Sequence, residues 1–586
     1  MEPPLNPPPP ETPPAPPSPA PGPRRRSLLI GGIAGGALLV CLCCAAATAG
    51  VLFLDPFGWK LLDRLAGRYD PLAEAAPGDS AFYLSADLLQ FRSARLQRVL
   101  QAFADVPGAG NVQSADDAVQ ELDKSLGDSL GLSVTDDILP WLGQRVGVTA
   151  ADLSVSQFGP SEGDIVVLAE VRDRRRAEAF LFKFIDAVAA ESGTTFDDEI
   201  YKGVTLYIQN SADEPVVVAL SRDVFLLSNR LSALKAVIDT QQGAADSLAD
   251  RADFRDLRAG LPGDRLLDVY FPGQGLLNLA ENSQTGLPMD ETTRQTVEAL
   301  GGLYLTLAAT DEGLRLDASF RYDEAKLSDA QREMMSFSAR AAASDLLPAG
   351  TLAYALGHRP DLTWATYRDT LNQAGGDFDE ALRQFERQFG FDADEVMHHL
   401  NGEVALALLA DPDSLLVENA QMELGFVVMA QTDDAALVQA ALDDLNGALE
   451  TDMGMTVEAQ TLAGADVFAL TAPGSGGTLV YGVAQNWLTL ASSAAAFTDV
   501  FDGGEAVSEA AVHRQVWSAL PDGVRPVLYV DMRGVLALVR DGLPSAESFD
   551  REVGPYLEPI KAIAAGATPY RNGAAQSTIV IFIENP

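Results

Sequence analysis

Apolar and polar residues follow two periods along this chain, and segments of the two kinds alternate irregularly. Short apolar or alternating runs predict strands at Ala81–Ala86, Arg145–Ala150 and Asp164–Glu170, whereas apolar residues at helical spacing predict helices at Ala94–Phe103 and Asp173–Ala190. Further strands are predicted at 204–209, 216–220, 224–228, 265–270, 304–309 and 314–320, and further helices at 115–125, 135–142, 230–241 and 253–260. Strands joined by short turns must be antiparallel. The pattern therefore predicts an α+β fold in which helices pack on a mainly antiparallel sheet.

Short sequence blocks match between the two halves of the chain. Phe254–Pro262 (FRDLRAGLP) aligns with His513–Pro521 (HRQVWSALP) at an offset of 259 residues. Further matches, in the same order in both halves, are 201–207 with 462–468, 216–238 with 479–501, and Tyr270 with Tyr529. Recurrence in order and spacing predicts two tandem copies of one unit, at 72–325 and 344–586, joined by a helical connector at 326–343.

The amino-terminal region carries the pattern of a membrane anchor. Thirteen of the first 23 residues are proline, which predicts that residues 1–26 form a disordered cytoplasmic tail. This tail could be either a stiff spacer or a docking strip for a Pro-binding module. Arg24, Arg25 and Arg26 then precede Ser27–Leu54, a run of 28 residues without a charge. A helix of that length crosses a bilayer, and basic residues favour the cytoplasmic side. The sequence thus predicts a single-pass membrane protein whose residues 55–71 link the span to an extracytoplasmic domain.

Several alternatives concern the same span. An A-x-A-like site near Ala45–Ala49 could be cleaved by signal peptidase, but the apolar run before it is longer than in an ordinary signal peptide and resumes afterwards. Two G-x-x-x-G pairs, Gly31 with Gly35 and Gly32 with Gly36, could support a homodimer, although glycine is common in membrane helices generally.

The composition of the chain argues against several kinds of binding partner and functional site. The chain has 83 acidic and 41 basic residues and a net charge of −42, which argues against nucleic acid, because phosphate binding requires clustered Lys and Arg. Three cysteines exclude a disulfide framework, and four histidines leave little room for a His-built metal site. No cofactor motif occurs.

Two local patterns could carry chemistry. Gly159–Gly163 (GPSEG) fits the letters of a hydrolase nucleophile elbow, but that motif needs a strand before the serine and a helix after it, and here strands are predicted on both sides. His398 and His399 are adjacent on a predicted helix and so point about 100° apart, which makes a shared metal ion unfavourable. His358 and His513 are isolated, and the acidic clusters at 197–199, 377–380 and 392–395 lack the spacing of a calcium loop. We expect no catalytic, cofactor or metal residues.

Three segments together resemble an uncharacterised bacterial family, the domain of unknown function 3352. They are Pro77–Tyr83, the block from Leu126 to Val148 with its Leu142-Gly143 step, and Phe254–Pro262. The resemblance covers about 72–586 and implies a membrane-tethered bacterial protein without an assigned activity, so it supplies no site residues.

Three hypotheses of function follow. The first is a non-enzymatic binding or scaffold module at the cell envelope, contacting envelope material, a protein or an apolar ligand. The second is an envelope enzyme with a site between the two copies. The third is a transmembrane signalling protein that uses the Pro-rich tail. An apolar groove favours the first, and converging polar groups in a cleft favour the second.

Overall fold

The fold is taken from a computed structural model of the chain. The structure describes residues 70–584, apart from 105, 107–113, 152–153, 157–158, 211–214, 283–290, 337–340, 374–377, 415–422, 472–477 and 543–545. The predicted tail, span and most of the linker, with Arg24, Arg25, Arg26 and the four glycines, lie outside the described residues.

Helices and strands alternate in the first half of the described chain. The elements are α1 Pro71–Ala75, β1 Phe82–Asp87, α2 Ala94–Ala102, α3 Ala115–Leu130, β2 Leu142–Ala150, β3 Ser154–Ser156, β4 Gly159–Glu162, β5 Ile165–Val171, α4 Arg174–Ser192, β6 Phe196–Tyr201, β7 Val204–Gln209, β8 Val217–Ser221, β9 Val224–Ser228, α5 Leu231–Gln241, α6 Ala252–Ala259, β10 Leu267–Pro272, α7 Gly273–Asn282, α8 Glu291–Ala299, β11 Leu300–Ala309 and β12 Gly313–Tyr322.

The second half follows a closely similar order. Its elements are α9 Asp329–Met335, β13 Thr351–His358, α10 Pro360–Gln373, α11 Phe378–Phe389, α12 Ala393–His399, β14 Glu403–Ala410, β15 Leu424–Gln431, α13 Ala435–Met453, β16 Thr456–Leu462, β17 Ala465–Thr471, β18 Thr478–Ala484, β19 Trp487–Ala491, α14 Ala494–Phe501, α15 Ala511–Ser518, β20 Arg525–Asp531, α16 Met532–Gly542, α17 Ala546–Glu552, α18 Gly554–Leu557, β21 Ile560–Ala567 and β22 Ala574–Ile583.

Strand pairing recurs in the two halves. The first half pairs in the order β6-β7-β8-β9-β5-β2-β1-β10-β11-β12, and the second in the order β16-β17-β18-β19-β15-β14-β13-β20-β21-β22, with every pair antiparallel. Strand β12 also pairs with β22, so the two halves share one 20-stranded sheet. A separate hairpin is formed by β3 and β4.

The junction of the halves lies at Asp317 and Thr578. These two residues are register partners, and following the ladders outward from Tyr270 and from Tyr529 shows that they occupy equivalent positions in β12 and β22. The Thr578 hydroxyl donates to Asp317 Oδ1 at 2.8 Å, and Arg315 Nε donates to Oδ2 at 2.8 Å. The two halves are therefore related by an approximate twofold axis through this pair.

Matching local signals begin and end the long helices α4 and α13. The carboxylates of Asp173 and Asp434 accept from backbone N–H groups in the first turns of these helices, which otherwise have no intrahelical partner. Gly193 and Gly454 follow the last turns with φ of 64° and 63°, a left-handed conformation that glycine adopts without a Cβ clash.

The predicted α+β class and the largely antiparallel sheet are confirmed. The predicted helix at 135–142 is wrong: only a short π-type turn at 134–138 forms, because Pro140 lacks an N–H and β2 begins at Leu142. Among the described residues of the connector at 326–343, an α-helix forms at Asp329–Met335 and a 3₁₀ turn begins at Ala342.

Three principal apolar cores pack on the sheet. We call face A the sheet face that carries α2, α3 and α4 in the first half, and face B the opposite face, which carries α1, α5 and α6. In the first half a large buried core lies on each face. In the second half the large buried core lies on face B, against α14 and α15.

Candidate functional site

Strand β14 shows why face A of the second half is unusual. Its residues read EVALALLA, and Ala405, Ala407 and Leu409 are buried on face B. On face A, Val404 and Leu408 are only half-buried and Leu406 is exposed. A strand that is apolar on both faces normally has both faces covered. Here one face is left partly open.

The exposed apolar positions continue across neighbouring strands. Ladder partners place two parallel rows of side chains on face A, running from β15 through β14, β13, β20, β21 and β22 to β12. We call these 14 residues the open face: Val428, Leu406, Ala355, Leu528, Ala565, Ile579 and Leu316 in one row, and Phe426, Leu408, Ala353, Val530, Ile563, Ile581 and Leu314 in the other. All are apolar, and each is half-buried or exposed. At about 4.8 Å per strand, each row spans roughly 29 Å.

The first half provides an internal comparison. Val148 pairs with Leu84 as Leu406 pairs with Ala355, so Val148 and Leu406 are equivalent. Val148 is 4% exposed, whereas Leu406 is 48% exposed. The same strand position is thus sealed in one half and open in the other.

A group of aromatic rings on face A of the first half has smaller counterparts in the second half. In the first half, Trp141, Phe180 and Phe225 pack with ring centroids 5.2–5.5 Å apart and fill the core between α4 and face A. From the matched helix starts and strand registers, the counterparts of the two phenylalanines are Ala441 and Leu488. Smaller side chains leave less apolar volume to cover face A of the second half.

The helices that correspond to α2 and α3 are also loosely buried. Helices α10 and α11 contact one another, and α11 contacts α13. Helix α11 (FDEALRQFERQF) has apolar residues on one side, yet none of its residues is buried, and its Phe385 and Phe389 rings stack at 4.4 Å. Apolar side chains therefore remain partly exposed on helix and sheet alike.

A buried ionic cluster lies on face B of the first half. Arg145 Nη1 donates to Ser85 Oγ at 2.9 Å and lies 3.3 Å from carboxylate oxygens of Asp70 and Asp268. Arg265 and the Tyr304 hydroxyl also donate to Asp268, at 3.1 and 2.9 Å.

The charges of this cluster stabilise one another. Burial alone would raise the pKa of Asp268, but Arg145 and Arg265 outweigh burial and hold that pKa below its usual value. Burial would likewise lower the pKa of Arg145, but Asp70 and Asp268 outweigh it and raise that pKa. Asp70, Arg145, Arg265 and Asp268 are each no more than 8% exposed, so the cluster is a closed structural element of the core.

Face B of the second half holds a buried histidine among aromatic rings. His513 aligns with Phe254, and its Nε2 lies 2.7 Å from both the Tyr354 hydroxyl and Trp517 Nε1. Because the indole N–H can only donate, Nε2 carries no proton. Burial lowers the pKa of His513 to about 4, so the ring is neutral at physiological pH.

The remaining sequence candidates are dispersed. His399 Nδ1 lies 2.7 Å from Asp433, and the ring centroids of His398 and His399 are 5.6 Å apart. Ser161 lies in the range of β4, which pairs with β3 and is followed by β5 rather than a helix. Asp392 caps α12. Within the described ranges, no group of three or more His, Cys, Asp or Glu could hold a metal ion, and no helix has the length and apolar character needed to span a bilayer.

Sequence reasoning missed the open face, although a signal existed. Strand β14 has no polar residue after Glu403, and β22 has none from Ile579 to Ile583, so both carry apolar residues on both faces, which normally indicates burial on both sides. Ala441 of α13, the counterpart of Phe180, indicates that the apolar volume between that helix and the sheet is reduced. Only the alignment of α13 with α4 would have shown this.

Comparisons with known proteins give one family assignment. No curated protein matches the chain. The solved structures of TP0453 in crystal forms I and III are similar over 44% and 46% of this chain and 81% and 86% of theirs, at 13% identity and TM-scores of 0.22 and 0.23, values too low to carry an argument. The family model described as a protein of unknown function (DUF3352) matches residues 68–582. The chain therefore belongs to the DUF3352 family.

Proposed function

We propose that this protein is a membrane-tethered, extracytoplasmic binding module whose open face takes up an apolar ligand. The observation that carries the proposal is the contrast between Leu406, 48% exposed, and its sealed equivalent Val148. We further propose that the two halves arose by duplication, after which the first half kept a structural core and the second exchanged part of that core for a binding surface.

Physical chemistry supports an apolar ligand over a polar one. The open face has no polar side chain, and its backbone N–H and C=O groups are already paired within the sheet. Apolar patches of this extent on soluble domains are rarely left without a partner. Burying them gains about 25 cal/mol per Å² of apolar area.

Photolabelling tests the binding surface. The full-length protein in its membrane is irradiated with a small apolar aryl diazirine, and labelled peptides are mapped by mass spectrometry. We expect residues 403–410 to be labelled, and Leu406→Asp to reduce that labelling, whereas Ala459→Leu on the exposed edge strand β16 leaves it unchanged. Equal labelling in the wild type and Leu406→Asp would contradict the proposal, provided that thermal unfolding shows both to be folded.

Protease accessibility tests the orientation. In intact spheroplasts, external protease is expected to digest residues 70–586 and spare the Pro-rich tail. Digestion of that region only in inverted vesicles would place it in the cytoplasm and overturn the topology.

A further inference from the structure

Small residues occupy three successive face A positions of one strand in the second half. On face A, β13 presents Ala353, Ala355 and Gly357, at the positions where β1 presents Phe82, Leu84 and Ala86. Space at Gly357 is already limited, because an added Cβ would lie 2.9 Å from Val404 Cγ1. The second half therefore has a shallow furrow along β13 where the first half has bulky side chains.

Larger residues form the walls of this furrow. Val404, Leu406 and Leu408 of β14 line one side, and Leu528 and Val530 of β20 line the other. From strand spacing and rise, the walls are about 10 Å apart between strand axes and the furrow is about 13 Å long. A helix with its side chains is about 10–12 Å across and is too wide to enter between them.

We propose that the furrow holds an acyl chain of a membrane phospholipid, an inference that rests on the proposed function and names its ligand class. An acyl chain needs no hydrogen-bond partner, whereas an extended peptide would bury its own unpaired N–H and C=O groups against a face that offers none.

The chain outside the structure indicates the bilayer as the source. Only residues 55–69 separate the predicted span from Asp70, where the described structure begins. Fifteen extended residues reach at most about 50 Å, so a tether of this length keeps Asp70 within about 50 Å of the bilayer and the folded domain close to lipid. The net charge of −42 disfavours anionic headgroups and free fatty acids, and thus favours a zwitterionic phospholipid.

The test restores the first-half side chains in the second half. The full-length protein is placed in vesicles of phosphatidylcholine, a small fraction of which carries a diazirine on one acyl chain. After irradiation, we expect adducts in 403–410 and 525–531 of the wild type. Ala353→Phe/Ala355→Leu should reduce them about tenfold, since the furrow is then filled as in β1, and Ala459→Leu should not.

Each possible labelling result either supports or contradicts the acyl-chain inference. Labelling confined to Ser27–Leu54, or unchanged in the folded double variant, would overturn it. A second arm with a diazirine-bearing free fatty acid distinguishes the source, because stronger labelling there would contradict a bilayer phospholipid. If the aryl diazirine labels 403–410 and loses this label in Leu406→Asp while the phospholipid does not label it, the proposed function stands and only the acyl-chain inference fails.

Discussion

Replacing His513 by phenylalanine tests the neutral, buried histidine of the second half, and the first half supplies the precedent in Phe254. The folded pKa of His513 is lowered to about 4, while an unfolded histidine titrates near 6.5. As pH falls from 7 to 4.5, the unfolded state takes up a proton that the folded state largely refuses. The wild type therefore loses stability over this window, by about 2–3 kcal/mol from this group alone.

His513→Phe removes this pH dependence and also lowers the free energy of unfolding by a constant amount. Without His513, the Tyr354 hydroxyl and Trp517 Nε1 lose their acceptor, which lowers the free energy of unfolding by about 1–3 kcal/mol at every pH. Chemical denaturation followed by tryptophan fluorescence at several pH values gives both curves, and carboxylates titrate alike in each protein. We expect the stability advantage of the wild type to shrink between pH 7 and 4.5. Curves that stay parallel would refute the neutral, buried histidine.

Five further substitutions, grouped into three tests, probe the packing by the same denaturation measurement. Val148→Asp places an unpaired charge in a sealed core and should lower the free energy of unfolding by about 4 kcal/mol. Leu406→Asp, at the equivalent open position, should lower it by less than about 1 kcal/mol. Equal losses would contradict the open face. Arg145→Met leaves the buried Asp70 without its cation and Asp268 with Arg265 alone, and should cost about 3–5 kcal/mol, against at most about 1 kcal/mol for the half-buried Arg98→Met. Thr578→Val removes one hydrogen bond at the junction of the halves and should cost about 1 kcal/mol, and no change would show that the bond adds nothing to the junction.

Local patterns in the sequence predicted local structure well. Period-2 and period-3.6 runs located most strands and helices of the first half, and the Asn572-Gly573 dipeptide, a sequence typical of tight turns, forms one with φ of 54° and 77°. These features depend on residues close together in the chain, so a single sequence contains them.

Contacts between residues far apart in the chain left no comparable local pattern in the sequence. The ionic cluster joins Arg145 to Asp70 and Asp268, which are 75 and 123 residues away in the chain. Nothing in β12 or β22 alone specifies that these strands pair with each other, because any edge strand offers free N–H and C=O groups.

The open face was hidden for a related reason. Apolar residues on both sides of β14 indicate burial on both sides, and the sequence of the strand is the same whether or not a cover exists. A difference between the halves does lie in α13, more than 25 residues away, where Ala441 stands at the position of Phe180 in α4.

We expect the equivalent strands β2 and β14 to differ in access to an apolar molecule. This difference is measured by the ratio of aryl-diazirine label in residues 403–410 to that in residues 142–150 of the same full-length molecule. Both strands experience the same probe concentration and the same membrane, so each molecule contains its own control. We expect strong labelling of β14 and almost none of β2. Comparable labelling of the two strands, or labelling of neither, would contradict it.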